Sequence, residues 1–256
     1  MNFPSQWSRQ FGGATIERQT VGESGAEVFR VRGAGAQDLF VKSEPIGVHS
    51  ELPQEIERLG WMNGLNLPGP TVLDATTERD RHWLLMTAVP GKDLSDCASV
   101  SPSELISILA TALRALHQVP VELCPFDHSL EQRIAIARSR MLAGLVDEDD
   151  FDDDRTGRTA AEAFAELLAS RPKVQDLAVT HGDACLPNFM MEGSRFTGYI
   201  DCGRLGISDI YQDLALAARS IERNCGAAWV APFFRAYGVE PDHRRIAFYC
   251  LLDEFY

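Results

Sequence analysis

The chain lacks the marks of several large protein classes. Its six cysteines include no Cys-x-x-Cys pair, and their spacings suggest reduced thiols rather than a small disulfide scaffold. No run approaches the roughly 18 apolar residues of a membrane-spanning helix. The N-terminal stretch MNFPSQWSRQFGG has no basic segment leading into an apolar one, so no secretory leader is expected. No glycine-rich turn is followed by GK[ST], which excludes a P-loop, and no complete G-x-G-x-x-G is present. Basic residues are scarce: 24 Lys and Arg stand against 37 Asp and Glu, for a net charge of −13. That balance argues against nucleic acid or an anionic membrane as the main partner and is compatible with a cationic ligand.

What is present is a globular composition, 45% hydrophobic and 24% charged over 256 residues, enough for one large domain or two lobes. The first third alternates and turns. Thr15–Val21, Ala26–Arg32, Leu39–Lys42, Thr71–Asp74 and His82–Thr87 read as antiparallel strands, and Glu51–Gly64 as a helix with Ile56, Leu59 and Met62 on one face. Val89-Pro90-Gly91 breaks this pattern and predicts a hinge at about 86–91. Beyond it the chain turns helical. Ser101-Pro102-Ser103-Glu104 is a helix start, and Leu105, Ile108, Leu109, Ala112, Leu113 and Leu116 follow at helical spacing. Further helices are predicted over 129–144, 158–170, 210–224, 227–237 and 242–255, with strand character only around 178–201. The stripe Trp229, Phe233, Phe234 and Tyr237 reads as core. The expected class is therefore α+β, with a small β-rich lobe (1–88) and a larger α-rich lobe (89–256).

The segment richest in chemistry is VTHGDACLPN (179–188), followed by GYIDCG (198–203). Phosphoryl transfer needs a carboxylate to orient the attacking hydroxyl, oxygen ligands for magnesium, and a cation on the nucleotide phosphates. His181-x-Asp183-x4-Asn188 offers a carboxylate and an amide oxygen on one loop. Asp201 ends a strand, and the Met191–Ser194 turn makes the intervening chain a hairpin. Taken singly, Asp183 reads equally well as a turn cap, Asp201 as a strand-end residue and Lys42 as a surface lysine. His181 and Cys185 sit at helical spacing, but zinc would need further ligands that are not at a recognisable spacing.

This spacing matches the catalytic loop and metal-binding Asp-x-Gly of protein-kinase-like enzymes, with Gly182 in place of Arg and Cys202 in place of Phe. The wording HGDACLPN…YIDCGRLG resembles more closely the aminoglycoside 3′-phosphotransferases, bacterial antibiotic-resistance kinases. GESGAEVFRV, LFVKSE, LLMTAVPGKDL, IDCGRLGISDIYQDLALAAR and RIAFYCLLDEFY extend the likeness along nearly the whole chain. The resemblance implies a protein-kinase-like two-lobed fold: a small antiparallel β-rich N-lobe for nucleotide and a larger α-helical C-lobe for catalysis and acceptor. It also implies ATP, or GTP, with Mg2+, transfer of the γ-phosphoryl group to the 3′-hydroxyl of drugs of the kanamycin and neomycin kind, and a cytoplasmic location without an obligatory protein partner.

Carried over by position, the resemblance makes Asp183 the catalytic base and Asn188 and Asp201 the magnesium ligands. Lys42 would hold the α- and β-phosphates, with Glu55 rather than Glu57 as its partner. Ser24 would lie in the loop over the phosphates, and the backbone of Thr87 to Val89 would meet the adenine edge. The positions matching those that hold the aminoglycoside in the resembled family are Asp152, Asp153, Asp183, Arg204, Arg219, Asp253, Glu254 and the terminal carboxylate of Tyr256, the acids being suited to its ammonium groups. Two departures stand out: Ser220 where relatives carry Asp, and Tyr256 where relatives end in Phe. Rival readings are a choline-, homoserine- or fructosamine-type kinase of the same fold, and a non-catalytic nucleotide-binding module.

Two features bear on the acceptor. The run Asp147–Asp154 reads DEDDFDDD, split by Phe151, and predicts a solvated first half with a second half at the acceptor site. Asp253 and Glu254 close the last predicted helix, at the pole of its dipole that disfavours negative charge. Placed so, they look like acids kept for a ligand rather than for the fold.

Overall fold

The computed structural model describes residues 3–7, 10–19, 26–35, 37–96, 100–152 and 155–256. Ser24 and Asp153 lie outside the described residues. The chain divides into two compact units. One is Met1–Gly91 with Met190–Glu192 and Thr197–Gly203; the other is Lys92–Phe189, Gly193–Phe196 and Arg204–Tyr256.

The first unit is built on five antiparallel strands: β1 (Thr15–Gln19), β2 (Glu27–Arg32), β3 (Leu39–Pro45), β4 (Val72–Glu78) and β5 (Arg81–Thr87), in the order β1-β2-β3-β5-β4. Side chains alternate across a strand, so the register decides what each face carries. Phe29 pairs with Val41 and Val41 with Leu85, which puts Phe29, Val31, Leu39, Val41, Trp83 and Leu85 in one buried cluster. Trp7 and Phe11 cover that face, with the Phe3 ring meeting the Phe11 and Phe29 rings edge-on at 5.5 Å. Lys42, one residue out of phase and opposite Leu84, turns to the other face with the helix α1 (Leu52–Gly64).

Helix α1 buries Leu52, Glu55, Arg58, Leu59 and Met62, whereas Ile56 is only half-buried. Its first N–H groups are met from β3: Glu44 accepts from Glu51 N at 3.1 Å and from Leu52 N at 2.8 Å. A carboxylate at that pole matches the positive end of the helix dipole. Thus β3 spends Lys42 and Glu44 on the same helix and fixes its height over the sheet.

In the second unit, β6 (Lys92–Asp93) is followed by α2 (Pro102–His117), α3 (Leu130–Leu142), α4 (Ala160–Ala169), β7 (Leu177–Thr180), then β8 (Phe189–Glu192) and β9 (Arg195–Tyr199), whose chain is shared with the first unit. Then come β10 (Gly206–Asp209), α5 (Tyr211–Cys225), α6 (Val230–Tyr237) and α7 (His243–Asp253). Ser101 caps α2 as its sequence foretold, accepting from Glu104 N. Thr159 and Glu162 form a reciprocal capping box on α4. Helix α5 is buried from Tyr211 through Ala218, packs against α7, and is the core of the unit. Ile106 and Ala110, rather than Ile108, complete the buried stripe of α2. Among the described residues no helix is long and apolar enough to cross a membrane.

Two strands were not foreseen, the two-residue β6 and β10. Gly206–Asp209 pairs antiparallel with β7, Thr180 opposite Gly206 and Leu177 opposite Asp209. GISD carries a single strand-favouring residue, so nothing local announces it. The partner strand supplies the reason, and Gly206 is required by packing: a Cβ there would stand 2.8 Å from His128 Cβ and 2.9 Å from Phe126 O.

Gly91, within the first unit, shows a similar constraint in harsher form. Its φ is +98° and a Cβ would lie 1.9 Å from Met191 O, a backbone atom. Gly91→Ala is expected to lower the thermal midpoint by about 5 °C or more, from strain and a forced backbone shift together. A melting curve superimposable on that of the wild type would refute the close approach.

Candidate active site

In the first unit the register of β3 and the helical phase of α1 bring Lys42 and Glu55 together. Lys42 Nζ donates to Glu55 Oε1 at 2.8 Å and Oε2 at 2.9 Å, and also to Asp201 Oδ1. Lys42 and Glu55 are each 6% exposed, while the Asp201 side chain is half exposed. Burial works against the lysine charge, but Asp201 and then Glu55 outweigh it and hold Lys42 above the ordinary lysine range. Burial pushes the Glu55 carboxyl up against the pull of Lys42. The firm member of the trio is Lys42, because two carboxylates face one ammonium.

Asp201 adopts φ +59°, a left-handed conformation uncommon outside glycine. Cys202, next to it, is buried; burial, with Glu55 and Asp201 behind it, keeps its thiol protonated. At the end of β5, Thr87 Oγ1 accepts from Thr71 N at 2.9 Å, so the side chain serves the sheet. The Val89 side chain stands where a Cβ on Gly198 would meet it at 3.0 Å.

In the second unit the loop 181–188 hangs on one buried carboxylate. Asp213 accepts from His181 N at 2.7 Å, from Gly182 N at 2.8 Å, and pairs with His117 Nε2 at 2.9 Å. Burial alone would raise its carboxyl; the His117 hydrogen bond and charge, with His181, bring it below the ordinary aspartate value. Gly182 has φ +87°, and a Cβ there would fall 2.2 Å from Arg204 O. That explains glycine where kinases carry arginine. Gly182 O accepts from Gln212 Nε2 at 3.0 Å and Arg133 Nη1 at 3.3 Å.

Further along the loop, Leu186 N donates to Ser220 Oγ at 2.9 Å. The serine that departs from the relatives' aspartate thus holds the loop itself. Asn188 donates its amide N–H to Asp183 Oδ2 and Asp183 O, both at 2.9 Å. The clamp fixes the Asp183 carboxylate and leaves the Asn188 amide oxygen as the atom available to a hard cation. His181 Nδ1 accepts from Asp183 N at 3.3 Å, a loop-bracing contact rather than a metal-ligand geometry.

The predicted acceptor residues also come together, but not as unpaired acids. Asp152 Oδ1 meets Arg223, and its Oδ2 lies 3.4 Å from Arg219 Nη1 and 3.6 Å from Arg155 Nη1. Asp253 pairs with Arg219 and, at 3.4 Å, with Arg204. Glu254 pairs with Arg155 at 3.1 Å and accepts from Asp152 N. The expectation that these carboxylates lack a structural role is therefore corrected: arginines from other elements neutralise the end of α7. The first half of the acidic run, 147–150, is exposed as expected, and Glu148 also accepts from Ala160 N at the start of α4. Phe151 is buried, as its place in the run suggested.

Tyr256 ends the chain between two guanidiniums, Arg133 at 4.2 Å and Arg204 at 4.8 Å from the ring centre. Its hydroxyl, the group that a terminal Phe would lack, donates to Arg133 O at 2.7 Å. Arg140 donates to Phe255 O at 2.6 Å and to a terminal oxygen of Tyr256 at 3.1 Å.

With this geometry in view, the comparisons are decisive. Residues 17–249 match the model of the phosphotransferase enzyme family. An aminoglycoside 3′-phosphotransferase from Escherichia coli is 37% identical over 244 residues, covering 93% of this chain and 89% of that one. The chain belongs to the aminoglycoside 3′-phosphotransferase family.

The crystal structure of an aminoglycoside 3′-phosphotransferase of type VIII superimposes with a TM-score of 0.83 at 36% identity, covering 94% of each chain. A Streptomyces rimosus aminoglycoside phosphotransferase in complex with ADP and streptomycin gives 0.81 at 29% identity, covering 94% of this chain and 92% of that one. The kinase-like fold class is thus established for the family member described here.

Sequence reasoning missed Arg133, Arg140, Arg155 and Arg223. An arginine on a helix carries no local mark of which distant carboxylate or carbonyl it will meet. The one available signal was the excess of unexplained acid at 147–154 and 253–254, which implies cations from elsewhere in the chain.

Glu254 offers a test of this cluster. Burial, then the nearby Asp152 charge, raises its carboxyl from 4.5 to about 7. A folded-state value above the unfolded one contributes stability that is complete below the unfolded value and lost as pH rises through the folded one. Wild type should therefore lose stability relative to Glu254→Gln as pH rises from 4.5 to beyond 7. Denaturant unfolding across that window reads it, and a pH-independent difference would contradict the assigned environment.

Proposed function

We propose that this enzyme transfers the γ-phosphoryl group of ATP to the 3′-hydroxyl of aminoglycoside antibiotics. The observation that carries the reading is the loop in which Asn188 clamps the Asp183 carboxylate while Asp213 fixes the backbone. A carboxylate oriented in this way can accept the proton of an attacking hydroxyl. Asp183 is the base. Lys42, held by Glu55, meets the α- and β-phosphates, and the backbone of Thr87 to Val89 meets the adenine edge, with Ser24 over the phosphates. Residues 1–88 are the nucleotide half, 89–256 the catalytic half, and 86–91 the hinge.

The Asn188 amide oxygen and the half-exposed Asp201 carboxylate are suited to Mg2+, a hard cation that takes oxygen ligands. When bound, the ion would neutralise phosphate charge. The protein's own contribution is positioning and fixed electrostatics. Ammonium groups of the acceptor are met by Asp152, Asp153, Asp253, Glu254 and the terminal carboxylate, with Arg204 and Arg219 setting the acids in place. ATP and thiols kept reduced both belong to the cytoplasm, where we place the enzyme.

The test is phosphorylation of two aminoglycosides that differ only in the 3′-hydroxyl, by wild type and by Asp183→Asn. Wild type should turn over the hydroxyl-bearing drug alone. Asp183→Asn should lose kcat by at least ~10^2-fold while nucleotide affinity survives. Equal turnover of the 3′-deoxy drug, or a folded and active Asp183→Asn enzyme, would overturn the assignment.

A further inference from the structure

Among the described residues, the acceptor acids are already occupied by arginines. Three carboxylates, Asp152, Asp253 and Glu254, are met by four guanidiniums, Arg155, Arg204, Arg219 and Arg223. Asp152 alone faces three of them.

The four arginines are not alike. The side chains of Arg155, Arg204 and Arg219 are 8%, 21% and 22% exposed, and they tie α7 and the acidic run to the body of the unit. The Arg223 side chain is 61% exposed. It reaches Asp152 Oδ1 from the last turn of α5 and makes no other ion pair among the described residues. An exposed pair of this kind contributes little to stability, so the fold does not depend on it. Its effect falls on whatever approaches Asp152.

Chemistry decides what can approach. An ammonium has donors only. To reach Asp152 it must displace Arg223, and it then stands beside Arg219 and Arg155, where like charges repel. A hydroxyl both donates and accepts, so it can give its proton to the carboxylate and take one from a guanidinium, leaving the cluster intact.

We propose that Arg223 is a specificity-determining residue: by occupying Asp152 it selects acceptors that present a hydroxyl, rather than an ammonium, at that end of the molecule. The inference rests on the proposed function and refines its substrate class. Arg223 thus acts as a resident cation that competes with the drug, a use of repulsion to set specificity.

The test uses acceptors that share the 3′-hydroxyl and differ by one amine replaced with a hydroxyl, each amine being replaced in turn. The ratio of kcat/KM for the hydroxyl form to that for the amine form is measured for wild type, Arg223→Gln and Arg223→Lys. For at least one pair, Arg223→Gln should lower this ratio about fivefold or more, through a smaller KM for the amine form at unchanged kcat. Arg223→Lys, which keeps the charge, should retain the wild-type ratio. If no pair shifts, or if the Lys variant behaves as the Gln variant does, the inference is overturned while the function stands. If wild type phosphorylates none of the acceptors, the function falls and the inference with it.

Discussion

The two consecutive N–H groups of His181 and Gly182 converge on the Asp213 carboxylate, and the loop 181–188 of the second unit is arranged around that contact. A buried carboxylate is costly unless its lone pairs are taken. Here they are taken by two amides and an imidazole. For two successive amides to point at one carboxylate the chain must bend sharply, and Gly182 supplies the positive φ. The strand β10, which leads into α5, pairs with β7, which ends at Thr180, so both ends of the contact are delivered by one ladder. Pairing, helix start, glycine and loop are one device.

The two units handle charge in different ways. In the first, one ammonium sits between two carboxylates, and burial sharpens the pairing, so Lys42 is protonated at any physiological pH. In the second, carboxylates and guanidiniums alternate through Asp152, Arg219 and Asp253. Such a network has its alternatives built in, because Asp152 and Asp253 each have more than one guanidinium within reach. In the proposed function the lysine that meets phosphate must not lose its charge, whereas the acceptor site has to exchange one cation for another. The difference in arrangement matches the difference in task.

The helices and the first sheet were legible because each announces itself locally, by periodicity or by a cap; Asp183, Asn188 and Asp201 stood out only by their joint spacing, and the Lys42–Glu55 pair by the family resemblance. What stayed hidden was set by partners far along the chain. Gly206–Asp209 is a strand only because of β7. The N-terminal aromatics Phe3, Trp7 and Phe11 lie in a stretch without periodicity, and only the sheet face they cover explains them. Ser220 read as a missing charge at the acceptor site, while its hydroxyl in fact holds Leu186 N. Arg155 and Arg223 of the acceptor cluster belong to the same class: long side chains whose partners are between 3 and 99 residues distant.

The acidic run shows why such residues resist a single label. Glu148 serves the start of α4, Phe151 is buried, and Asp152 bridges arginines of two elements. Like charge concentrated in one stretch would repel itself if it were left to solvent. Glu148 at the start of α4 and Asp152 among guanidiniums instead link the 147–152 segment to α4 and α5. In the proposed function the acceptor carboxylates serve folding when the acceptor is absent and binding when it arrives. An ammonium group can enter only by taking over a contact that an arginine already makes, so affinity for the drug is a difference between two cations rather than the strength of one ion pair. Discrimination among drugs follows from that difference, and it is set as much by the arginines as by the acids.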